Sequence, residues 1–223
     1  MPEPRHTIAL IGGTGPEGRG LALRFALAGH RVVIGSRQAE RGTVVAQELA
    51  TVVPRGDVTG TSNEKALEGA DIAVVVVPYE AHRPTLEGLR AHLVGKLVVD
   101  GVVPVRFERG PRPIDVEAGS AAEEAAAILP DSTVVGAFHN LAAEVLLDPH
   151  ASVDADVLIT GNDADAKATV SALAGQIEGA RAVDAGPLRF SRFVEGLTIL
   201  LIGINGRYRA HSSVRISGLE ASE

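Results

Sequence analysis

The stretch Gly12-Gly13-Thr14-Gly15-Pro16-Glu17-Gly18 decides the fold of this chain. It follows an apolar run, Thr7–Ile11, and leads into a segment whose apolar residues recur at helical spacing. Gly13, Gly15 and Gly18 match G-x-G-x-x-G between a strand and a helix, which is the context that makes the pattern informative. The glycines permit a tight turn, backbone approach to a pyrophosphate and close helix–strand packing, and the helix N-terminus attracts phosphate. The stretch predicts a dinucleotide site.

Two residues inside this stretch have specific expectations. Pro16 suits the first helical turn, where its missing N–H costs no hydrogen bond. Glu17 is unfavourable beside a dianion, so we expect its side chain to point to solvent while the backbone binds phosphate. The alternative is a glycine-rich turn that only connects a strand to a helix, but further motifs along the chain favour nucleotide binding.

The composition is that of an ordinary soluble globular protein. Of 223 residues, 45% are hydrophobic and 22% charged. A net charge of −7 and an aromatic content of 3% argue against a nucleic-acid partner. With no cysteine there is no thiolate metal site, and we expect no bound metal. The apolar runs are far shorter than the ~20 residues of a membrane span, and Met1-Pro2-Glu3-Pro4 does not resemble a signal peptide. We therefore expect a cytoplasmic protein without a membrane partner.

Strand and helix patterns alternate along the first two thirds of the chain, which is typical of βαβ units. We expect a Rossmann-like, doubly wound α/β fold with a mainly parallel sheet and a smaller α+β C-terminal part. The expected domains are residues 1–150 for the dinucleotide and residues 151–223. The expected strands are Thr7–Ile11, Arg31–Gly35, Val58–Thr61, Ile72–Val77, Lys96–Val99, Thr133–Phe138, Val157–Thr160 and Arg181–Val183. The expected helices include Ala39–Val53, Asn63–Gly69, Tyr79–Leu93, Ala121–Ile128, Leu141–Leu147 and Ala164–Ile177.

Two further segments raise specific questions. Val105–Gly119 has no clear periodicity, and loops of this length are either functional or plain surface excursions. A last helix is expected from about Arg189 to Gly203, and it is apolar nearly all round between Leu197 and Ile204. Such a helix must be buried on more than one side. We therefore predict a homodimer with this helix at the interface.

The end of the second strand indicates which nucleotide binds. A carboxylate at this point favours NAD, whereas a nearby arginine accommodates the 2′-phosphate of NADP. The chain has Ser36-Arg37 here and Arg41 one helical turn later. These side chains can bind a phosphate through charge-assisted hydrogen bonds. NADP is the predicted nucleotide, and a solvated loop is the alternative.

The opposite wall of the predicted crevice contains few proton donors. Val77 and Pro78 follow the fourth strand and should flank the nicotinamide ribose, unless they are only packing residues. His139 alone among the histidines follows a predicted strand, and we favour a role in the ligand wall over a role as an acid. With no assigned catalytic side chain, the site suits hydride transfer between two redox cofactors.

Several motifs together resemble one enzyme family. They are Ile11-Gly12-Gly13-Thr14-Gly15 with Gly18, Gly35-Ser36-Arg37, Val77-Pro78, Ala137-Phe138-His139-Asn140, Asp184-Ala185-Gly186-Pro187-Leu188, and Ser191-Arg192-Phe193-Val194-Glu195-Gly196-Leu197-Thr198. The chain resembles the F420-dependent NADP oxidoreductases nearly from end to end. The resemblance implies hydride exchange between NADP(H) and the 8-hydroxy-5-deazaflavin coenzyme F420, with the two rings stacked and catalysis by proximity.

The resemblance also implies positions for the two cofactors. It places Thr14, Ser36, Arg37 and Arg41 around the 2′-phosphate. It places the segment His139, Asn140, Leu141 and Ala143, together with the tail residues Ser213 and Val214, near the deazaflavin and the nicotinamide. The C-terminal domain would contribute to the deazaflavin site and to the dimer interface.

The chain departs from the family pattern in two places. Asn-Leu-Ala-Ala follows His139, where a Thr-Ile-Pro-Ala-like run is typical. The tail from residue 206 onward is less similar, and its three arginines can either meet the acidic tail of F420 or be solvated; they are Arg207, Arg209 and Arg215. Arg192 and Glu195, three residues apart on a helix, suggest a local ion pair.

Two other functions stay open at this point. One is an NADPH-dependent reductase of a flavin or of a small carbonyl or imine substrate. The other is a non-catalytic NADP(H) sensor, with the apolar last helix as its effector surface.

Overall fold

The computed structural model describes residues 4–53 and 56–219, and helices cover both faces of a central sheet. The strands are β1 Thr7–Ile11, β2 Arg31–Ser36, β3 Asp57–Ser62, β4 Ile72–Val75, β5 Leu97–Asp100, β6 Val105–Phe107, β7 Pro111–Pro113, β8 Thr133–Gly136, β9 Ala155–Gly161 and β10 Ala180–Asp184. The helices are α1 Pro16–Leu27, α2 Ala39–Val52, α3 Asn63–Ala66, α4 Tyr79–Leu93, α5 Ala121–Ile128, α6 Ala143–Leu147, α7 Ala164–Gly175 and α8 Ser191–Tyr208, with a 3-10 turn Leu188–Phe190 before α8.

The described residues form an eight-stranded sheet in the order β10-β9-β8-β5-β4-β1-β2-β3. All neighbouring strands are parallel except β8 and β9, which are antiparallel. From β1, the chain builds the sheet to one side through β2 and β3 and then returns to the other side through β4. The predicted doubly wound, mainly parallel fold is thus confirmed, and the carboxyl ends of β1 and β4 border the point where ligands bind in such folds. The division of the chain into two domains at residue 150 stays a prediction. Strands β9 and β10, which follow residue 150, belong to the same sheet as the strands before it.

Strand β1 shows why both faces of the sheet are covered by helices. Ile8 and Leu10 pack into a core that includes side chains of α1, α2 and α7. Ala9 and Ile11 face the opposite core, which includes side chains of α4 and α5. Alternate residues of a strand point to opposite faces, so a strand that is apolar throughout requires cover on both sides.

The segment from Val105 to Gly119 is more regular than its sequence suggested. β6 and β7 pair in antiparallel fashion, with Arg106 opposite Arg112. Arg109 and Gly110 make the turn between them with positive φ values of 49° and 138°. Strands of three residues are too short for a period-two pattern to be recognised, so periodicity could not identify this hairpin.

A charged cluster is buried where α4, β5 and α5 meet. Nε2 of His82 lies 2.7 Å from Oδ2 of Asp100, and its Nδ1 lies 3.0 Å from Oε2 of Glu124. Burial alone would lower the pKa of His82, but attraction to the two carboxylates outweighs it and raises the pKa to about 8. Oδ1 of Asp100 also accepts a hydrogen bond from the N–H of Val102 at 3.2 Å. The cluster therefore fixes the position of the segment that follows β5.

Glu195 does not form the expected local ion pair with Arg192 in the part of the chain that the structure describes. Its carboxylate is buried and accepts hydrogen bonds from the N–H groups of Ala121 and Ala122 at 3.0 and 3.2 Å. Burial raises the pKa of Glu195 to about 7, although these two hydrogen bonds oppose the shift. A carboxylate from α8 thus caps the first turn of α5.

Helix α8 has one buried face and one exposed apolar face. Val194, Thr198 and Leu201 are buried against the rest of the chain. Phe193 and Leu200 have exposed fractions of 66% and 60%. The chain therefore does not cover the whole helix by itself. Within the described residues, no helix has both the length and the apolar character needed to cross a membrane.

Candidate functional site

A crevice with a cavity volume of about 1100 Å³ lies at the carboxyl ends of the central strands. Its walls come from the turn after β1, the segments that follow β2, β4, β5 and β8, and from α8 and the tail. The residues selected from the sequence that line it are Thr14, Gly15, Pro16, Glu17, Ser36, Arg37, Arg41, Val77, Pro78, His139, Leu141 and Ala143. One crevice thus brings together most of the predicted site residues.

The glycine turn brings α1 close to β1. The N–H of Gly13 donates to the carbonyls of Leu10 and Gly35 at 3.2 and 3.1 Å, which ties the turn to the end of β2. A Cβ on Gly18 would lie 2.5 Å from Cα of Gly13, so the helix approaches the turn because Gly18 lacks a side chain, and a Cβ on Gly13 would lie 2.7 Å from Cβ of Leu10. A Cβ on Gly15 would meet nothing within 4 Å and would project into open space. Gly13 and Gly18 therefore serve packing, and Gly15 leaves room for a ligand beside the backbone.

The orientation of Glu17 differs from our expectation. One carboxyl oxygen, Oε1, is shielded from solvent and has no hydrogen-bond partner among the described residues, although the residue as a whole is half-buried. Burial, followed by repulsion from Glu144, raises the pKa of Glu17 to about 8. Helix α6, which carries Glu144, packs closely on α1, where a Cβ on Gly20 would lie 2.5 Å from Cβ of Leu146. At neutral pH the crevice therefore contains a mostly protonated carboxyl group.

The end of β2 provides the cationic part of the crevice. Ser36 is buried, and its Oγ accepts a hydrogen bond from the N–H of Gln38 at 3.3 Å. Arg37 and Arg41 are exposed at the rim, and neither forms an ion pair with an acidic side chain in the described part of the chain. Their guanidinium groups are available to a phosphate.

The opposite wall is apolar and begins at the end of β4. Strand β4 stops at Val75, so Val77 and Pro78 lie in the segment that leads into α4. A Cβ on Gly12, whose φ is +76°, would collide with the side chain of Val77. The two walls therefore approach each other closely at the glycine turn.

His139 enters the crevice through a strained turn. Phe138, directly before it, has a φ of +68°, which is uncommon for a bulky residue and is found at functional sites. The imidazole is 5% exposed, and neither ring nitrogen has a hydrogen-bond partner among the described residues. Burial lowers the pKa of His139 to about 4, so the ring is neutral at physiological pH. It can offer a ligand one N–H and one lone pair, but it carries no positive charge.

Asn140, Ser213 and Val214 lie behind the wall and hold the tail in place. Nδ2 of Asn140 donates to the carbonyl of Asp156 at 2.7 Å, and Oγ of Ser213 donates to the carbonyl of Asn140 at 2.9 Å. The carbonyl of Val214 accepts from the N–H of Asp156 at 2.7 Å. These three residues thus attach the tail to the sheet, and His211, further back along the tail, lines the crevice.

Asp156 is the anchor of this attachment. Its buried carboxylate lies 2.7 Å from Arg181 and 3.2 Å from Arg215, and it accepts from the N–H of Ile216 at 2.6 Å. Hydrogen bonding to Arg181 leads the interactions that lower the pKa of Asp156. Arg215 is therefore paired within the chain.

Sequence reasoning did not identify several lining residues. From α8 and the tail these are Thr198, Ile202, Asn205, Ala210 and His211, and near β5 they are Gly101, Val102 and Val103. The apolar run in α8 is a signal, but a helix that is apolar nearly all round does not show which of its sides faces a cavity. Only the fold brings this helix over the ends of strands that lie far away in sequence.

Comparisons with known proteins identify the family of this chain. A family model described as NADP oxidoreductase, coenzyme F420-dependent, matches residues 7–104. The F420-dependent NADP reductase of Methanothermobacter marburgensis is 42% identical over 220 residues, covering 95% of this chain and 98% of that protein. This chain belongs to the F420-dependent NADP oxidoreductase family.

Other members of the family and a solved structure extend the match. The F420-dependent NADP reductase of Methanocaldococcus jannaschii is 39% identical over 221 residues, with 96% and 99% of the two chains covered. A crystal structure of a protein described as a putative F420-dependent NADP reductase from Arthrobacter sp. FB24 has a TM-score of 0.79 and 27% identity. The superposition covers 92% of this chain and 96% of that one. The family resemblance therefore extends over nearly the whole chain.

Two glycine substitutions should separate packing from binding in the glycine turn. Gly18→Ala places a Cβ against Cα of Gly13 and should destabilise the protein by about 1–3 kcal/mol, as overpacking does. Gly15→Ala has an allowed φ of −77° and open space, so it should unfold like the wild type but bind NADP at least tenfold more weakly. Thermal unfolding and calorimetric NADP titration measure the two effects. Wild-type affinity in Gly15→Ala would contradict this role for the turn.

Proposed function

We propose that this chain transfers a hydride directly between NADP(H) and coenzyme F420, so that NADPH and oxidised F420 interconvert with NADP⁺ and reduced F420. The observation that carries the proposal is identity of 39–42% with F420-dependent NADP reductases over nearly the full chain. The crevice supports it, because a glycine turn, unpaired arginines and an apolar wall line one continuous cavity.

The residues of the cationic rim fit a nucleotide with an extra phosphate. Arg37 and Arg41 lie just beyond β2, where the 2′-position of the adenosine ribose is expected in this fold. The open space at Gly15 and the N-terminus of α1 suit a pyrophosphate. We assign Thr14, Ser36, Arg37 and Arg41 to the 2′-phosphate.

The apolar end of the crevice is where we place the two reacting rings. NADPH supplies the hydride when bound, and the residues around it supply position. Val77 and Pro78 form one wall, and His139, Leu141 and Ala143 form another. Thr198 and Ile202 of α8 limit the access of water. Holding reacting atoms ~3–3.5 Å apart can account for about 7–11 kcal/mol of a barrier, so no acid or base is required for the hydride step itself.

We also propose that residues 151–223 contribute to the deazaflavin end and to a homodimer. The contributions to the crevice come from α8 and from the tail residues Ala210 and His211. The exposed side chains of Phe193 and Leu200 support a second copy as the cover of α8, because adjacent apolar residues at a surface mark interaction sites. A cytoplasmic location stays a prediction.

The proposed reaction can be tested by mixing the protein with NADPH and oxidised F420 and following the visible absorbance of the deazaflavin. We expect the absorbance to fall with NADPH and much more slowly with NADH. If the protein binds NADP but leaves F420 unchanged from mildly acidic to alkaline pH, the proposed reaction is wrong. Parallel reactions with a flavin and a cyclic imine would then identify another reductase, and binding with no turnover would indicate a sensor.

The assignment of the 2′-phosphate predicts a selective effect of Arg37→Ala. NADP binding should weaken roughly 10- to 150-fold, because hydrogen bonds between charged groups contribute about 1.5–3 kcal/mol. NAD binding should hardly change. Arg90→Ala, at an exposed position on α4 outside the crevice, is the matched control. Equal losses for both nucleotides in Arg37→Ala would refute the assignment.

The dimer proposal predicts that Leu200→Glu shifts the protein from dimer to monomer. Leu200 is mostly exposed in the single chain, so the charge should disturb the interface and leave the fold of the monomer intact. Light scattering at micromolar concentration measures the mass. Val94→Glu, at a residue that is 57% exposed and lies away from α8, should stay dimeric. A monomeric wild-type mass would count against the dimer.

A further inference from the structure

The carboxyl group of Glu17 is placed unusually for a nucleotide site. Glu17 is the second residue of α1, two positions after the N-cap Gly15, and it lines the crevice. Oε1 is shielded from solvent and has no hydrogen-bond partner in the described residues. An ionised carboxylate with one oxygen that lacks both water and a hydrogen-bond donor is costly, so burial favours the protonated form. The structure thus holds an acid directly beside the expected pyrophosphate.

The N-terminus of α1 favours a negative charge, but the side chains around Glu17 do not compensate the charge of an ionised carboxylate. Glu144 of α6, which is mostly exposed, repels it, and Nδ1 of His211 in the tail lies 3.5 Å from Oε2 of Glu144. The guanidinium group of Arg24 on α1 donates hydrogen bonds to the carbonyls of Val145, Leu146 and Asp148. The other titratable or charged side chains on the elements around it are Arg19, which pairs with Glu48 of α2, the neutral His139, and Arg37 and Arg41 across the crevice. Burial and repulsion from Glu144 raise the pKa of Glu17, and none of these other side chains is among the causes of the shift.

A dinucleotide would add negative charge at this point. Its pyrophosphate is expected at the N-terminus of α1, in the same enclosed environment as Glu17. Two anions in a medium of low dielectric constant repel each other strongly. A protonated carboxyl group avoids this repulsion and can donate a hydrogen bond to an oxygen of the ligand. Binding of the nucleotide and protonation of Glu17 should therefore favour each other, by thermodynamic linkage.

We propose that Glu17 makes dinucleotide binding proton-linked: NADP(H) binds the form of the protein in which this carboxyl group is protonated, and the ionised form opposes binding. The proposal rests on the proposed NADP(H) site. It gives Glu17 a role in setting affinity as a function of pH, separate from the hydride step.

The direction of the pH dependence follows from the free protein. The pKa of Glu17 is about 8, so below this pH the group is mostly protonated and nucleotide binding is coupled to almost no proton uptake. Above it, each binding event must take up a proton, and the affinity should fall about tenfold per pH unit. Bound nucleotide should raise the pKa of Glu17 further.

Calorimetric titration with NADP tests this. The wild type should take up close to one proton per NADP at pH 9.5 and almost none at pH 6.5. The number of protons follows from binding enthalpies measured in buffers of different ionisation enthalpy. Its affinity should fall about tenfold or more between these pH values. Glu17→Gln, a neutral side chain of the same shape, should bind with an affinity that hardly changes over this range and with no linked uptake at pH 9.5.

A matched control and a second variant keep the test decisive. Glu144→Gln, at the exposed neighbour, should retain the proton uptake but move its midpoint to lower pH, because a repelling charge is gone. Glu17→Met, with an apolar side chain of similar length, should likewise bind NADP with an affinity that hardly changes with pH. It replaces Glu17→Gln in the test if thermal unfolding shows that the amide variant is poorly folded.

Three outcomes would overturn the proposal. One is equal wild-type affinity at pH 6.5 and 9.5 without proton uptake. Another is proton uptake in Glu17→Gln that equals the wild-type value. In both cases NADP still binds, so the proposed function stands. The third is the absence of NADP binding to the wild type at any pH, and this would remove the proposed function as well.

Discussion

The close contact between Gly13 and Gly18 is the constraint on which the crevice depends. It lets α1 begin directly above the end of β1, with its free N–H groups facing the cavity. The same turn is bound to the end of β2 through the carbonyl of Gly35, so the turn and the arginine-bearing segment are held in one frame. A side chain at Gly18 would push the helix away from the turn, whereas one at Gly13 would collide with Leu10 and Ile34 of the sheet. Either change would disturb the position of the turn relative to the arginine rim.

The crevice is electrically uneven from one end to the other. Exposed guanidinium groups lie at the rim beyond β2, a carboxyl group that favours its protonated form lies at the N-terminus of α1, and a neutral imidazole lies in the wall after β8. A ligand with phosphates toward the arginine rim and flat, weakly charged rings near the imidazole matches this distribution. The rim attracts the phosphate-bearing part of such a ligand, whereas the imidazole end has little charge.

The parts that local sequence determines were predictable. The strand, glycine turn and helix around Gly15 are encoded within a short window, as are Ser36 and Arg37 at the end of β2. By contrast, the environment of Glu17 depends on α6, which carries Glu144 and packs closely on α1 at Gly20 and Leu146. Glu195 was misinterpreted for the same reason: its partners are backbone groups of α5, more than seventy positions away. Local spacing on a helix predicts neighbours on that helix, but it does not predict which other element the side chain reaches.

The attachment of the tail through Asp156 has a consequence for engineering the chain. Its buried carboxylate holds two arginines and a backbone amide, so the final segment lies along the sheet edge after α8 has ended. Ala210 and His211 border the cavity just before the tail residues that Asp156 holds. Progressive truncation from the C-terminal side would therefore remove the partners of Asp156 in the tail and then part of the cavity wall before it removed a single turn of α8 or a strand.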